Sequence, residues 1–398
     1  MIEFNPNSPK QLSALFFGGN LKEKKDIIYI KGLGLKPLDK WKTKTGSFQT
    51  NEEVLKLIAK KEDTTAGKIA SLLLKSRKLN KEINTYYEGV KQFINEKGFV
   101  HPQFSHCGYG DGQGGTETGR LSCYKPNVQQ IPKNFASKVK QHFVSRFEDG
   151  VLIECDFSQL EIVVQAELSK DDRYRQDVIN GIDFHCKRLA FKEGLTYEQV
   201  IKNCNNENTK EVWKQKRSQI KEFSFQRAYG AGAKSISENT GIPYNSVMTI
   251  IEKEKVEYPT LNLYNQNLIA LVNKQGYYNN LFGRRFYFKK YEWKGEMTYK
   301  PTDIQNYMIQ GTATADISMI MFGIFWRETI KYRNKFLIIN TVHDSIVLDC
   351  KKEYIEFANN LLKKILEKVP EMVYNYFGKH WSMPVKVDIK SGSSWWDC

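Results

Sequence analysis

The segment KFLIINTVHDSIVLDC, residues 335–350, holds two apolar runs separated by a short polar turn that contains Asp344. Short apolar runs rich in Ile and Val are typical of strands, and a polar break between two of them predicts a β-hairpin. A carboxylate on a buried hairpin needs a partner or a metal ion, because burying an unpaired charge is costly. The segment therefore predicts a sheet that carries a functional acid, and it raises the question of which group is the partner of Asp344.

A second acid lies near the end of another apolar run, VLIECDF, residues 151–157, where Asp156 is the last residue but one. If the two strands are neighbours in one sheet, the side chains of Asp156 and Asp344 come within a few ångströms of each other. Paired carboxylates are hard, acceptor-only ligands that suit Mg²⁺, and two Mg²⁺ ions on such a pair fit phosphoryl transfer. Taken singly, each Asp is better explained as an ordinary strand-end or turn residue.

Composition indicates a large, basic protein. The chain has 398 residues, more than one core usually fills, so two or three lobes are expected. Its net charge of +15 favours a polyanionic partner, nucleic acid before an anionic membrane, and a basic protein without such a partner is the alternative. No apolar run approaches the roughly 20 residues of a membrane helix, and no signal-peptide pattern is present. The 7 Cys residues form no CxxC pair, which predicts free thiols in a reducing compartment.

Periodicity divides the chain into three parts. A helical pattern covers residues 66–94, and a long, charged helical stretch covers 161–258. These positions predict a sheet-based catalytic lobe interrupted by a helical lobe, with the N-terminal helices as a third part. The other predicted elements are a hairpin over 276–288, a helix over 303–328, a helix over 354–369 and a final strand over 384–390.

Four side chains spaced by four residues form a stripe on the helix predicted over 216–230. They are Arg217, Lys221, Phe225 and Tyr229. Positions four apart lie on one face of a helix. Two cations followed by two aromatic rings suit a triphosphate at one end and a flat ring at the other. An amphipathic helix with a chance order of residues is the alternative.

Seven blocks of the sequence occur in the order seen in family A DNA polymerases, the DNA polymerase I type, and the chain resembles that family over nearly its whole length. The blocks are TETGRLSCYKPNVQQIP (116–132), CDFSQLEIVVQAELSKD (155–171), DFHCKRLA (183–190), the stripe within 217–230, QGYYNNLFGRRFYF (275–288), IQGTATAD (309–316) and VHDS (342–345).

The resemblance implies an α+β right-hand fold with an antiparallel-sheet palm, helical fingers and a helical thumb. The thumb would cover residues 1–100, the palm 101–165 and 292–398, and the fingers 166–291. The implied reaction is template-directed attack of a primer 3′-hydroxyl on the α-phosphate of a dNTP, with release of pyrophosphate.

The resemblance also assigns the catalytic residues. Asp156, the backbone carbonyl of Phe157 and Asp344 would hold two Mg²⁺ ions, for which Mn²⁺ can substitute. Lys221 joins the two aspartates in the catalytic set. Ser345 stands where the family usually has a Glu, so it would be an outer-shell variant that tunes the site through water.

Substrate contacts follow from the same resemblance. Glu161 matches the steric gate that excludes a ribose 2′-hydroxyl. The other expected dNTP contacts are His185, Arg217, Lys221, Phe225 and Tyr229. The expected primer and template contacts are Arg120, Asn127, Gln129, Gly230, Asn306, Gln310 and His343.

Two further departures from the family pattern are visible. The block IQGTATAD has one residue more than usual, and Thr302 replaces an arginine that contacts the template. From the resemblance, the chain is expected to start at the thumb, without the residues of a proofreading exonuclease. A natural bare polymerase, an exonuclease on another polypeptide and a fragment are the alternatives, of which the first two are favoured, and a separate exonuclease or processivity factor is a candidate partner. A monomer in the bacterial cytoplasm, of phage origin and without membrane contact, is expected.

Two other classes of protein compete with this interpretation. A single-subunit phage-type RNA polymerase shares the palm and the cation–aromatic helix, but Glu161 and the TETGRLS block argue against it. A degenerate polymerase fold that only binds DNA is the non-enzymatic alternative, and Ser345 is the feature that favours it.

Overall fold

The computed structural model describes residues 3–23, 26–106, 115–132, 137–228, 231–293 and 295–398. The chain divides into two compact units, Met1–His101 and Pro102–Cys398. Helices and antiparallel sheets occur together in it, which confirms the α+β class predicted from the sequence.

The first unit is helical and has one two-stranded sheet. Ser8, Asn51 and Thr64 start three of its helices, because each side chain accepts a hydrogen bond from a backbone N–H in the first turn. The apolar faces of these helices meet in one core around Leu12 and Leu55. Its elements are α1 (Pro9–Phe17), β1 (Gly19–Glu23), β2 (Asp26–Ile30), α2 (Glu52–Ala59), α3 (Thr65–Lys81), a π-helical turn (Glu82–Tyr87) and α4 (Glu88–Lys91).

A four-stranded antiparallel sheet organises the second unit. Its strand order is β10 (Phe336–Val342), β11 (Ser345–Cys350), β5 (Val151–Phe157) and β12 (Val387–Gly392). The hairpin β10–β11 and the strand β5 lie where the sequence predicts them. The register pairs Ser345 with Asp156 directly across β11 and β5, so the two strands that carry the predicted acids are neighbours.

The two faces of β5 have different environments. Ile153, Cys155 and Phe157 belong to the main core, together with residues of α14 (Ser318–Thr329) and α15 (Ile355–Leu366). Asp156 alternates with these residues and keeps contact with solvent. The strand thus has one buried apolar face and presents its acid on the other face.

Helices make up most of the chain between the strands β5 and β10. Those of residues 184–257 enclose a separate core that includes Leu189, Ile220, Phe223 and Ile250. The helices are α5 (Leu160–Ser169), α6 (Asp172–Ile179), α7 (Phe184–Glu193), α8 (Tyr197–Asn205), α9 (Lys210–Ala228), α10 (Ala233–Thr240), α11 (Tyr244–Glu257) and α12 (Pro259–Gln275). Short strands form the pairs β3 (Gln103–Ser105) with β4 (Ser122–Tyr124), β6 (Tyr277–Asn279) with β7 (Arg285–Tyr287), and β8 (Tyr291–Trp293) with β9 (Glu296–Thr298).

The helix predicted over 303–328 is a composite of three segments. It runs from α13 (Pro301–Gln310) through a π-helical turn (Gly311–Ile317) into α14. The block IQGTATAD, which has one residue more than the family's usual block, enters this π turn. One added residue in an α-helix would rotate every following side chain by about 100°. A π turn has room for one additional residue, so we infer that it accommodates the extra residue of this block.

The composite helix corrects the expectation that no apolar run approaches membrane length. By length and composition, residues Pro301–Tyr332 could cross a membrane, and 72% of their apolar window is buried inside the protein. All residues of the π turn are buried. A helix that is apolar on every side is expected in the core of a large protein, so packing accounts for its composition.

Short elements are where the sequence predictions fail. The helix predicted over 66–94 runs from Thr65 to Lys91, interrupted by a π turn, and the predicted last strand is β12. The helix α16 (Val369–Phe377) and the hairpins β1–β2 and β8–β9 are not predicted. The strands β8 and β9 have three residues each, too few alternations to be recognised from periodicity.

Candidate active site

Asp156 and Asp344 lie at one end of the four-stranded sheet. A two-residue turn, His343–Asp344, joins β10 to β11, and His343 adopts a left-handed backbone with φ 57°. The backbone N–H of Phe157 donates to the backbone carbonyl of Asp344 at 3.2 Å. Non-glycine residues rarely have a positive φ, and such residues concentrate at functional sites. The turn thus holds Asp344 beside the end of β5.

Both carboxylates have perturbed acidity. Asp156 keeps contact with solvent, but the protein atoms packed around its carboxylate remove much of its hydration. This desolvation raises the pKa of Asp156 to about 7, and the neighbouring charge of Asp344 adds to the rise. Burial also raises the pKa of Asp344, while its own backbone N–H and the Arg120 cation oppose the rise. In the part of the chain that the structure describes, neither carboxylate forms a hydrogen bond or ion pair with another side chain.

This donor set fits a hard divalent cation. Two unpaired, acceptor-only carboxylates with raised pKa values are stabilised by a nearby positive charge. The described residues contain no group of three or more His, Cys, Asp or Glu that could hold a metal. Mg²⁺ is often held by only one or two carboxylates, and waters and substrate phosphates complete its shell. The pair of aspartates therefore fits a metal that binds together with a phosphate substrate.

Arg120 is bonded to Glu161 and also interacts electrostatically with Asp344. Its Nη2 donates to Glu161 Oε1 at 2.6 Å, and its Nε donates to Thr314 Oγ1 at 2.6 Å. Burial raises the pKa of Glu161, although the Arg120 cation opposes the rise. The same cation opposes the rise in the pKa of Asp344. Three of the predicted site residues therefore belong to one electrostatic cluster.

Ser345 is part of the turn itself. Its side chain is buried, and its hydroxyl donates to the backbone carbonyl of Val342 at 3.1 Å. The hydroxyl of Thr341 donates to the backbone carbonyl of Ser345 at 3.1 Å. These bonds close the hairpin beside Asp344. In the structure, Ser345 therefore stabilises the turn that carries Asp344. Its expected tuning of the site through water stays a prediction.

We expect Ser345→Glu to impair the protein. A longer, charged side chain would enter a position that is 5% exposed, directly opposite Asp156, and would add a third acid without a partner. The variant should lose about 2–4 kcal/mol of stability. Ser345→Ala, which removes only the hydroxyl, should lose about 1 kcal/mol. Denaturant unfolding measures both effects, and a Ser345→Glu variant as stable as the wild type would contradict the account.

A second cluster of predicted residues lies where α7 meets α9. Asp183 caps α7, because its side chain accepts from the backbone N–H groups of His185 at 2.9 Å and Cys186 at 3.2 Å. The guanidinium of Arg217 pairs with the same carboxylate at 2.7 Å. The cations of Arg217 and Lys221 both lower the pKa of His185. The structure therefore brings His185, Arg217 and Lys221 together, and their contact with a nucleotide stays a prediction.

His185 is neutral at physiological pH. Its Nδ1 lies 2.9 Å from Ser224 Oγ, whose own proton is donated to the Ile220 carbonyl at 2.7 Å. The Nδ1 therefore carries the proton and donates it. Burial lowers the pKa of His185 to about 4, with the cations of Arg188, Arg217 and Lys221 as further causes.

The lowered pKa of His185 predicts acid sensitivity of the fold. The unfolded chain takes up this proton near the ordinary value of 6.5, so the free energy of unfolding falls as the pH drops from 6.5 towards 4. We expect His185→Gln to reduce the loss of stability between pH 7 and pH 5 by about 1–2 kcal/mol. Denaturant unfolding at the two pH values measures this difference. His380→Gln, at an exposed position, is the matched control, and an unchanged pH response in His185→Gln would contradict the assignment.

The predicted primer and template contacts have separate environments. The Nε2 of Gln129 donates to the Thr341 carbonyl at 3.0 Å, which ties it to the acid-bearing hairpin. The Oδ1 of Asn127 is buried and has no partner in the described part of the chain. Asn306 and Gln310 lie one turn apart on α13. The side chain of Phe225 and the residues Tyr229 and Gly230 lie outside the described residues. The DNA contacts stay predictions.

Three residues near the site were not predicted from the sequence. Asp183 pairs with Arg217, and Thr314 accepts a hydrogen bond from Arg120. Asp388 of β12 lies directly opposite Asp156 of β5 and accepts a hydrogen bond from the Ser158 hydroxyl at 2.7 Å. The extra residue in IQGTATAD was a signal for Thr314. No periodicity or spacing marked the other two.

Comparisons with known proteins extend over nearly the whole chain. A family model described as DNA polymerase family A matches residues 1–397. DNA polymerase I of Bacillus subtilis (strain 168) is 28% identical over 405 residues, which cover 99% of this chain and 40% of that protein. The thermostable DNA polymerase I of Thermus aquaticus is 26% identical over 385 residues, which cover 95% of this chain and 42% of that protein. The chain thus spans about two fifths of the length of these curated relatives.

One solved structure has a fold similar to that of this chain. It is described as the POL domain of Pol1 from M. smegmatis in complex with DNA primer-template and dNTP. The likeness has a TM-score of 0.77 at 22% sequence identity, and it covers 99% of this chain and 61% of the other. At this identity the likeness establishes a shared fold.

Proposed function

The chain belongs to DNA polymerase family A, and from that premise we propose that it is a DNA-directed DNA polymerase that extends a primer 3′-hydroxyl with dNTPs. The observation that carries this proposal is the pair of unpaired aspartates, Asp156 and Asp344, on neighbouring strands. Such a pair suits metal-assisted phosphoryl transfer and is otherwise costly for the fold. In this assignment, residues 1–100 are the thumb, 101–165 and 292–398 the palm, and 166–291 the fingers.

Asp156, Asp344 and the backbone carbonyl of Phe157 would hold two Mg²⁺ ions, or Mn²⁺ in their place. When bound, these ions would supply Lewis-acid stabilisation of the charge on the phosphates. The burial of the Phe157 side chain, which stacks on Phe322 with centroids 5.8 Å apart, fixes the backbone beside Asp156. The chain's own contribution is a rigid set of oxygen ligands.

The cluster of His185, Arg217 and Lys221 would bind the triphosphate. Arg217 and Lys221 are cations that match phosphate oxygens, and Asp183 holds the guanidinium of Arg217 in place. Lys221 would also stabilise charge at the transferred phosphoryl group. Phe225 and Tyr229 complete the predicted contacts to the sugar, the base and the template.

Glu161 would act as the sugar gate at the start of α5, where Arg120 holds its carboxylate. A side chain of this size beside the sugar leaves no room for a ribose 2′-hydroxyl. The net charge of +15 supports primer–template DNA as the partner. A separate exonuclease or processivity factor, a phage origin and a cytoplasmic location stay predictions.

Primer extension with different nucleotides tests the proposed function against its two alternatives. The purified chain, Mg²⁺ and a primer–template duplex are incubated with dNTPs or with rNTPs, and DNA binding is measured in parallel. We expect extension with dNTPs and little with rNTPs. Preferred extension with rNTPs would indicate an RNA polymerase, and DNA binding without extension would indicate a degenerate, non-enzymatic polymerase fold.

A further inference from the structure

We propose that Thr314 is a positioning residue for sugar selection, because it fixes the guanidinium of Arg120 that holds Glu161. This inference rests on the proposed function, in which Glu161 is the gate against ribose. It concerns the π turn Gly311–Ile317, which contains the extra residue of the block IQGTATAD. The turn places a threonine hydroxyl where it can hold the gate.

The hydroxyl of Thr314 has a fixed direction. Its proton is donated to the backbone carbonyl of Gln310 at 2.9 Å, one turn earlier in the helix. A hydroxyl has one proton and two acceptor lone pairs. With the proton committed, a lone pair faces the Nε of Arg120 at 2.6 Å. Because Thr314 is 1% exposed, water cannot readily replace this acceptor.

Arg120 is therefore held at two points of its planar group. Its Nε is fixed by Thr314, and its Nη2 donates to Glu161 Oε1 at 2.6 Å. A guanidinium held at both positions cannot rotate about its long side chain without losing one bond. The direction of the Glu161 carboxylate thus depends on a hydroxyl of a different helix.

The loop that carries Arg120 is clamped to the same π turn by a second arginine. Arg284 pairs with Asp316 of the turn at 2.6 Å. Gly119, with φ 83°, lies so close to Arg284 that a Cβ atom there would be 2.2 Å from its Nη1. A larger residue at position 119 would displace the Arg284 guanidinium and would strain the left-handed backbone, so glycine is favoured there. The contact of Gly119 with Arg284 therefore holds the loop beside the π turn. Thr314 fixes the orientation of the Arg120 side chain within that loop.

Loss of the hydroxyl should loosen the gate and leave the phosphate and metal ligands intact. Thr314→Val keeps the shape of the side chain and removes the acceptor of Arg120 Nε. The Arg120–Glu161 pair could then shift away from the sugar, and a ribose 2′-hydroxyl would meet less resistance. The effect should appear as faster rNTP incorporation, with dNTP incorporation changed much less.

The test measures single-turnover incorporation of matched dNTPs and rNTPs by the full chain. We expect Thr314→Val to lower the preference for dNTP over rNTP, as the ratio of the two kpol/Kd values, by about tenfold, the size of one charge-assisted hydrogen bond. Thr314→Ser keeps the hydroxyl and should restore the preference to within about twofold. Ser318→Ala is the matched control, since Ser318 is also buried and donates to a carbonyl of the π turn, that of Ala313 at 3.2 Å.

The outcomes separate this inference from the proposed function. If the wild type extends no primer, the proposed function fails. If the wild type extends and selects dNTPs while Thr314→Val keeps the wild-type preference, the positioning role is overturned. An equal loss of preference in Ser318→Ala would also overturn it, because the effect would then follow from general damage to the π turn. Thermal unfolding of each variant identifies any variant that does not fold. If Thr314→Val does not fold, Thr314→Ala, which also removes the hydroxyl, replaces it in the comparison, and a wild-type preference in Thr314→Ala then overturns the positioning role.

Discussion

Replacing Asp156 with Asn is expected to lower the rate of primer extension at least about 1,000-fold, while binding of primer–template DNA is retained. The substitution keeps the shape of the side chain and removes the charge that a divalent cation needs. Asp344→Asn should have an effect of the same order, because the two acids lie at the same end of neighbouring strands. Single-turnover extension with saturating Mg²⁺ and a DNA-binding titration measure the two quantities separately.

The same substitution should stabilise the fold in metal-free buffer. The folded-state pKa of Asp156, about 7, lies above the ordinary value of 3.8, so wild-type stability falls as the pH rises from about 4 through 7. The Asn variant avoids this loss. We expect its thermal midpoint with EDTA to exceed that of the wild type by about 1–2 °C at pH 8, and the difference to vanish near pH 4.

Asp63→Asn is the control for both measurements, because Asp63 is an exposed acid of the first unit. Unchanged extension in Asp156→Asn would remove this residue from the mechanism. A variant that loses extension and also loses stability at pH 8 would indicate a structural role for Asp156, with the loss of activity as its consequence.

Lys221→Ala is expected to have the second-largest effect, a decrease of about 100- to 1,000-fold in dNTP incorporation. Lys221 is exposed on α9, and its cation lowers the pKa of His185, so it lies close to the proposed triphosphate site. The loss should be divided between a weaker Kd for dNTP and a lower maximal rate, since the cation contacts both the bound and the reacting phosphate.

Lys214→Ala is the matched control on the same helix, because Lys214 is an exposed lysine seven residues earlier. Its incorporation kinetics should match those of the wild type. If both lysine variants lose a similar, small amount of activity, the effect would be a general loss of positive charge. If Lys221→Ala weakens only DNA binding, Lys221 would belong to the DNA-binding surface.

The sequence predicted the sheet and its acids well for a physical reason. Buried strands such as β5 and β11 are continuous apolar runs, and an acid in such a run is conspicuous. The adjacency of the two strands was a hypothesis that the register of Ser345 with Asp156 confirms. A helix over 303–328 was also predicted, from its helical periodicity, and these residues form most of the composite helix Pro301–Tyr332.

Features that depend on tertiary contacts could not be predicted in this way. The extra residue in IQGTATAD was visible in the sequence, but hydrophobic patterns do not distinguish a loop from a π turn. The bond from Arg120 to Thr314 joins residues far apart in sequence, and so does the pair of Arg217 with Asp183. Such long-range pairs depend on how helices and loops pack, and periodicity carries no information about that packing.

The most direct test of the proposed polymerase centre is the addition of a single nucleotide by the wild-type chain. A primer is annealed to four templates that differ only in the first unpaired base, and each duplex is incubated with Mg²⁺ and one dNTP at a time. We expect one nucleotide to be added, with release of pyrophosphate, where the dNTP complements the template base. Failure to add any nucleotide, or addition that ignores the template base, would contradict the proposed function.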